Sequence, residues 1–254
     1  MRFVIPSFNR PNIIKEKTLK FLALQGIKPS EIDIVVEDEP MKEEYIKSLG
    51  MRYRFIVSGT KGVGEKRNFI RSYYREETKL EEIVCFDDDI DNVIDIDKPL
   101  DIRSLISNSF IDCKNTGVCL WGVSPLHNPF FLKHAREKSY NLKYISGAFF
   151  GLKINRKKYM LHTDIDHGED FQFSMEHFLR DKAVLRWNRI YVETKYFEEQ
   201  GGICESLGGL ANRKIQMIEN SKYLNDRYED MCSLKIKKYG YDIKLNPYYK
   251  IKID

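Results

Sequence analysis

No apolar run in the sequence approaches the roughly 18 residues that a helix needs to cross a bilayer, so a membrane-spanning protein is not expected. Cysteine is sparse: Cys85, Cys113, Cys119, Cys204 and Cys232 make an odd count without a Cys-x-x-Cys pair, which argues against a disulfide framework and against a zinc ribbon. The five histidines, His127, His134, His162, His167 and His177, lack the paired or Glu-flanked spacing of a zinc helix. The strand-like Arg2-Phe3-Val4-Ile5 begins without the basic stretch, long apolar core and small-residue cleavage site of a leader peptide, so a cytoplasmic location is expected. An excess of charge is missing too. The 42 basic and 38 acidic residues leave +4, too little to indicate nucleic-acid binding by itself. Internal repeats and low-complexity segments are absent, and nothing in the composition calls for an obligate protein partner.

Hydrophobic residues at 42% and aromatics at 13% of 254 residues suffice for one large α/β domain with a full core. Strand-like segments fall at Phe3 to Pro6, Asp33 to Glu37, Tyr53 to Val57 and Ile83 to Phe86, separated by helix-like stretches, which is the βαβ pattern. The first helix should start after Asn9-Arg10-Pro11 and stop at Gly26, and the second should run from Pro40 to Gly50, each with Pro near its start and Gly at its end. The third, Gly64 to Tyr74, carries Arg67, Arg71 and Arg75 at four-residue spacing, so one basic stripe can face a ligand or water while Phe69, Ile70 and Tyr73 pack. Beyond Asp89 the connections lengthen, with apolar runs at 117–123, 143–152 and 184–192, and the sheet is expected to be mixed. Residues 1–205 form the expected catalytic domain, and residues 206–254 an appended region that is helical from Asn212 to about Tyr239.

The chemistry concentrates in three loops that follow strands, where open α/β sheets bind ligands. Asp87, Asp88 and Asp89 close the apolar run Ile83-Val84-Cys85-Phe86. Carboxylates crowded at a sheet edge repel one another unless a cation or hydrogen-bond donors compensate. Hard oxygen ligands suit Mg²⁺ or Mn²⁺, which bind through one or two carboxylates plus substrate phosphates, so a phosphorylated or nucleotide-activated substrate is implied. Asp89 is the preferred direct ligand, Asp87 belongs to the metal shell or the ribose, and Asp88 supports. A solvated turn or helix cap is the competing reading of any acidic triplet. An EF-hand is excluded because Asn92 stands at the turn and Lys98 at the twelfth position.

Lys61 to Asn68 is glycine-containing, but Glu65-Lys66 follows Gly64 where a Walker A loop has Lys-Ser/Thr. With Lys66 and Arg67 at the start of a helix, it suits an anionic diphosphate; a flexible loop ahead of an ordinary amphipathic helix is the alternative. Gly168-Glu169-Asp170 opens another helix, where the acids either complement the dipole or provide a general base, Asp170, for an acceptor hydroxyl.

Ile5-Pro6-Ser7-Phe8-Asn9-Arg10-Pro11, Gly64-Glu65-Lys66-Arg67-Asn68, Phe86-Asp87-Asp88-Asp89 and Gly168-Glu169-Asp170 resemble, in that order, a GT-A fold glycosyltransferase. The resemblance implies a Rossmann-like single domain with a mixed central sheet. It implies nucleotide contacts from Pro6, Ser7, Asn9 and Arg10, phosphate or nucleotide contacts from Lys66, Arg67, Asp87 and Asp88, metal duty for Asp87 and Asp89, and catalysis by Asp170 with Glu169. A nucleotide-sugar donor, UDP-sugar foremost, and Mn²⁺ or Mg²⁺ follow, with hexosyl transfer by inversion.

A narrower resemblance runs through Trp121-Gly122-Val123, Asn128-Pro129-Phe130-Phe131, Tyr144 to Gly151 and Gly201-Gly202, and is to the viral glycosyltransferases associated with TET/JBP dioxygenases. It implies a 5-hydroxymethylated pyrimidine in DNA as acceptor and the host cytoplasm as location. Lys153 to Lys158 and Lys235 to Tyr239 are the candidate DNA contacts, against a reading as solvated surface. The family's C-terminal histidine ligand has no counterpart after His177. A nucleotidyltransferase and a non-catalytic nucleotide-sugar or nucleic-acid binding module are the alternatives.

Overall fold

The computed structural model describes residues 1–194, 209–237 and 240–251. β1 (Arg2–Pro6) sends Phe3 and Ile5 to one side of the sheet and Val4 to the other. It leads through Ser7 to Arg10 into α1 (Pro11–Ile14), a π-helical turn (Lys15–Leu19) and α2 (Lys20–Leu24). Next come β2 (Ile32–Val36), α3 (Glu39–Leu49), β3 (Arg54–Val57), α4 (Val63–Glu76) and β4 (Glu82–Phe86). The Asp38 carboxylate caps α3 by accepting from Met41 N at 2.9 Å, and Gly50, at φ 76, ends it. These elements lie within a few residues of where periodicity and end signals put them.

The second half follows as β5 (Ile90–Asp95), α5 (Ile102–Thr116), β6 (Leu120–Ser124), α6 (Pro129–Lys133), β7 (Lys138–Ser139), β8 (Phe149–Lys153), α7 (Glu169–Asp181) and β9 (Leu185–Thr194). It closes with α8 (Leu210–Arg227), β10 (Cys232–Lys237) and β11 (Gly240–Leu245). The helical extension is thus shorter than expected: after Arg227 the alternating Leu234 and Ile236 and the apolar Ile243 belong to an antiparallel hairpin of β10 and β11. The 205/206 boundary falls outside the described residues.

Among the described residues the main sheet has the order β3-β2-β1-β4-β8-β6-β9-β5, with β7 also on β9. β1 to β4 are mutually parallel, β8 is antiparallel to β4 and β6, and β5 is antiparallel to β9. The sheet is mixed, as anticipated. Because β8 runs against β4, Phe149 opposes Phe86. The chain just before Phe149 therefore arrives at the edge where β4 delivers Asp87.

Helices cover both faces. Ile34, Val84 and Phe86 pack with Ile14, Phe21, Tyr45 and Phe110 on one side, while Val35, Ile83 and Cys85 pack with Ile70, Tyr74, Phe173 and Leu224 on the other. The Phe86 and Phe149 rings stack at 4.4 Å and Trp121 meets Phe149 edge-on at 5.4 Å. Burial of each such ring contributes roughly 1.5–3 kcal/mol, and this one cluster locks β4, β8 and β6 together beneath the acidic edge. No helix among the described residues is long and apolar enough to cross a membrane.

Candidate active site

The acidic triplet is framed by backbone bonds before any ligand is considered. Thr18, fully buried on the π-helical turn, donates to Asp87 O at 2.7 Å and accepts from Ile90 N at 2.9 Å. Asp87 N donates to Ala148 O at 2.9 Å, and Thr194 Oγ1 donates to Asp89 O at 3.0 Å. A π-helical turn displaces side chains from regular helical positions; here the displaced turn presents the hydroxyl that pins the loop.

Each carboxylate then has a different surrounding. Asp88 is filled: Ser7 Oγ donates to Oδ2 at 2.5 Å and Arg10 Nη1 to Oδ1 at 3.1 Å. Asp89 takes a longer bond from Arg10 Nη1, 3.3 Å, on Oδ2. Asp87 Oδ1 accepts from Arg67 Nη2 at 2.8 Å. The side chains of Asp87 and Asp89 stay 35% and 19% exposed, against 8% for Asp88. Among the described residues Asp87 Oδ2 and Asp89 Oδ1 accept no hydrogen bond. Burial, then Asp89 and Asp88 against the pull of Arg67, pushes the Asp87 carboxyl up to about 7, and burial pushes Asp88 up to about 6. A cation placed among these carboxylates would favour their charged forms.

Arg67 joins this edge to α7. Its guanidinium bonds Asp87 through Nη2 and the Glu169 carboxylate through Nη1. Burial disfavours its charge, but Glu169, Asp87 and Asp170 outweigh that and hold its pKa above the ordinary value. Gly147 makes room for it, since a Cβ there would overlap the guanidinium. The expected ligand-facing arginine stripe of α4 is therefore turned inward, and Arg71, one turn on, is 6% exposed. Phe69 and Tyr73, expected to pack, are only partly buried. Lys66 is likewise inside, with Nζ 3.3 Å from Ser7 O and 5.4 Å from the Phe8 ring centroid, and burial lowers its pKa. The N-terminus of α4 already meets an anion of the chain: Gly64 N donates to Asp166 Oδ1 at 2.9 Å, and Gly64 lies against the Ile165 carbonyl so closely that a Cβ would not fit.

Asp170 sits at the start of α7 with both oxygens oriented. Tyr144 OH and Gly147 N, the latter at 3.1 Å, donate to Oδ2, and Phe171 N donates to Oδ1 at 3.0 Å. Tyr144 stacks on Phe171 at 4.1 Å, and burial beside Asp170 lifts its phenol well above the ordinary value, so it is a neutral donor. Glu169 is inward, its carboxyl raised by burial and held by Arg67.

Pro6, Ser7, Asn9, Arg10, Lys66, Arg67, Asp87, Asp88, Asp89, Glu169 and Asp170 thus converge on one sheet edge. Asn9 takes the left-handed conformation at φ 53, which Asn tolerates better than most residues. Pro6 lines the same small cleft as Arg67 and Gly147. Tyr45 links the first loop, bonding Ser7 Oγ at 2.6 Å and Arg10 N at 2.9 Å. Thr18, Tyr45, Tyr144, Gly147 and Asp166 are participants that the motifs did not single out. Of these, Tyr144 and Gly147 lie in the stretch from Tyr144 to Gly151 that carries the narrower resemblance.

The chemistry of the donor set, the partly exposed carboxylates of Asp87 and Asp89, suits a hard divalent cation. The described residues hold no ready-made group of three or more metal-ligating side chains, so such an ion would depend on substrate phosphates and water for its other ligands, the habit of Mg²⁺. His177 is not among the candidates, because it faces the cavity lined by Lys153, Arg75 and Arg180, away from the acidic triplet. The basic segment at Lys153 to Lys158 lies elsewhere. Lys153 opposes Glu82 at the start of β4, at the far edge of the sheet. Arg156 is spent on the carbonyls of Tyr74, Arg75, Thr78 and Leu80, and Lys158 on Asp181 at 2.6 Å. Their charges serve the C-terminus of α4 and the end of α7.

No family model matches this chain, and no curated protein does. Solved structures do. Glucosyl-3-phosphoglycerate synthase from Mycobacterium tuberculosis in complex with uridine diphosphate superposes with a TM-score of 0.52 at 12% identity, over 98% of this chain and 88% of that one. The same synthase with Mn²⁺, uridine diphosphate and glucosyl-3-phosphoglycerate gives 0.50 at 11% identity, over 97% and 86%. At such identities the likeness is one of fold, and the fold is the GT-A type of α/β sheet.

Proposed function

We propose that the chain is a glycosyltransferase that moves a hexose from a nucleoside-diphosphate sugar to an acceptor hydroxyl with inversion. The observation that carries this reading is the Arg67 bridge, which ties the metal-competent Asp87 to Glu169 and so sets Asp170 beside the acidic edge. A fold shared with a synthase seen with uridine diphosphate and Mn²⁺ supports a UDP-sugar donor and Mn²⁺ or Mg²⁺. Asp87 and Asp89 would hold the ion, which when bound neutralises charge on the departing diphosphate.

The chain's own residues do the rest. The loop of Pro6, Ser7, Asn9 and Arg10 borders the nucleotide, with Arg10 balancing Asp88 and Asp89. Lys66 and Arg67 keep the net charge of the edge low enough to admit an anionic donor. Asp170, aimed by Tyr144 and Gly147, accepts the proton of the acceptor hydroxyl as its oxygen bonds to the anomeric carbon and the bond from that carbon to the diphosphate breaks. Inversion requires the attack from the side opposite the diphosphate. The acceptor we propose is a 5-hydroxymethylated pyrimidine in DNA, on the strength of the motif resemblance to the viral family.

A panel of nucleotide sugars with Mn²⁺, offered hydroxymethylated or unmodified DNA, tests this by nucleoside mass spectrometry and product analysis. Release of nucleoside diphosphate with a hexose increment only on hydroxymethylated DNA is expected. Release of pyrophosphate would replace sugar transfer by nucleotidyl transfer, and sugar on a different hydroxyl would remove the DNA acceptor alone.

A further inference from the structure

At the sheet edge opposite the acidic cluster, a cavity of about 30 Å³ is lined by Arg71, Arg75, Lys153, His177 and Arg180 together with Leu152, Ile154, Asn155, Met160, Leu161 and Phe173. No carboxylate lines it. Arg71 is the anomaly. It is 6% exposed, yet of the five N–H groups of a guanidinium only those on Nη2 find acceptors, Asn68 Oδ1 and, at 3.3 Å, Thr163 Oγ1. Among the described residues its Nε is buried with no partner, and it has no ion pair. The Phe173 ring, 4.3 Å from Cζ, is a partial substitute for a counter-charge.

A buried cation without an anion is costly. The cost shows in the titration of Arg71, which burial and then the repulsion of Arg67 push down to about 9. The neighbouring charges do not help. Arg75 gives its bonds to the carbonyls of Asn155, Arg156 and Lys158, and Arg180 pairs with Asp181. Among the described residues the Lys153 ammonium makes no hydrogen bond or ion pair. Burial keeps the imidazole of His177 neutral, with its pKa lowered to about 4. The space is at least twice the roughly 10–15 Å³ that a water requires, enough for one monatomic anion.

We propose that this cavity is a binding site for a small monovalent inorganic anion of the chloride class, which neutralises Arg71 with Lys153 at its mouth and stabilises the packing of α4, β8 and α7. The site is separate from the acidic edge and does not depend on the reaction assigned to it.

The test is thermal unfolding of the full chain in sodium chloride and in sodium gluconate at equal ionic strength, together with crystals soaked in sodium bromide and measured for anomalous scattering. Chloride should raise the midpoint by about 2 °C or more over gluconate, and a bromide peak should lie in the cavity beside Arg71. Lys153→Met, at a half-exposed position, should fold and lose most of the chloride increment; Arg71→Met, if it folds, should lose all of it. Equal midpoints in the two salts, or a cavity holding only water in the bromide crystals, would overturn the proposal. A chloride increment that survives in Lys153→Met and Arg71→Met alike would do the same.

Discussion

Asp170 and Asp87 illustrate how much one carboxylate's role depends on its donors. Three hydrogen-bond donors hold Asp170 without filling all its lone pairs, so Asp170→Asn should keep donor binding and lower kcat by about 10²–10⁴, which steady-state kinetics beside a donor titration will check. For Asp87 the sign follows from its raised pKa of about 7. Below that pH the folded protein keeps a proton that the unfolded chain has lost, so the metal-free fold gains stability from this group as pH falls from about 7 toward 4. A cation must displace that proton, so Mn²⁺ affinity should rise from about pH 6 to about pH 8 and then level off. Flat affinity over that range, measured by calorimetry, would contradict the assignment. The acidic triplet and Gly168-Glu169-Asp170 could be recognised from sequence because their chemistry is contiguous. The Arg67 bridge could not, since its partners stand 20 and 102 residues away, and spacing alone did not tell an inward stripe from an outward one.

At the scale of elements, the segment before β8 matters most, because Tyr144 and Gly147 both reach Asp170 while Gly147 also lies against Arg67. Gly147→Ala should push the guanidinium out of the bridge and lower turnover by about 10²-fold, the scale of a misplaced group, with little change in the far-UV spectrum. Unaltered turnover would show that the bridge is dispensable. Sequence periodicity reads 143–152 as one apolar run, whereas only Phe149–Lys153 is strand; Gly147 and Ala148 form a turn just before it. α5 falls in the lengthened connections that follow Asp89, where the sequence reading assigns no helix. Its signal was present, as an Asp101 cap on Ser104 N at 3.1 Å ahead of buried Ile102, Leu105, Ile106, Phe110 and Cys113, a helical period diluted by Ser and Asn.

For the whole molecule, the register of β8 against β4 decides where the chemistry lies. The reversal puts Phe149 against Phe86, so core packing and site geometry share residues. Phe149→Ala should cost about 3–5 kcal/mol, read from denaturant unfolding, and reduce activity in parallel; a loss below about 1 kcal/mol would mean that the stack does not hold the edge together. The parallel first half was legible because each strand and helix carries its own local signals. The order of β8, β6, β9 and β5 was not, because it rests on pairings between distant segments with no local mark. The most direct test of the central claim is the anomalous scattering of Mn²⁺ in crystals soaked with a UDP-sugar. The account predicts a peak bonded to Asp89 and Asp87 and to the diphosphate; a diphosphate bound with its Mn²⁺ out of reach of those two carboxylates would contradict it.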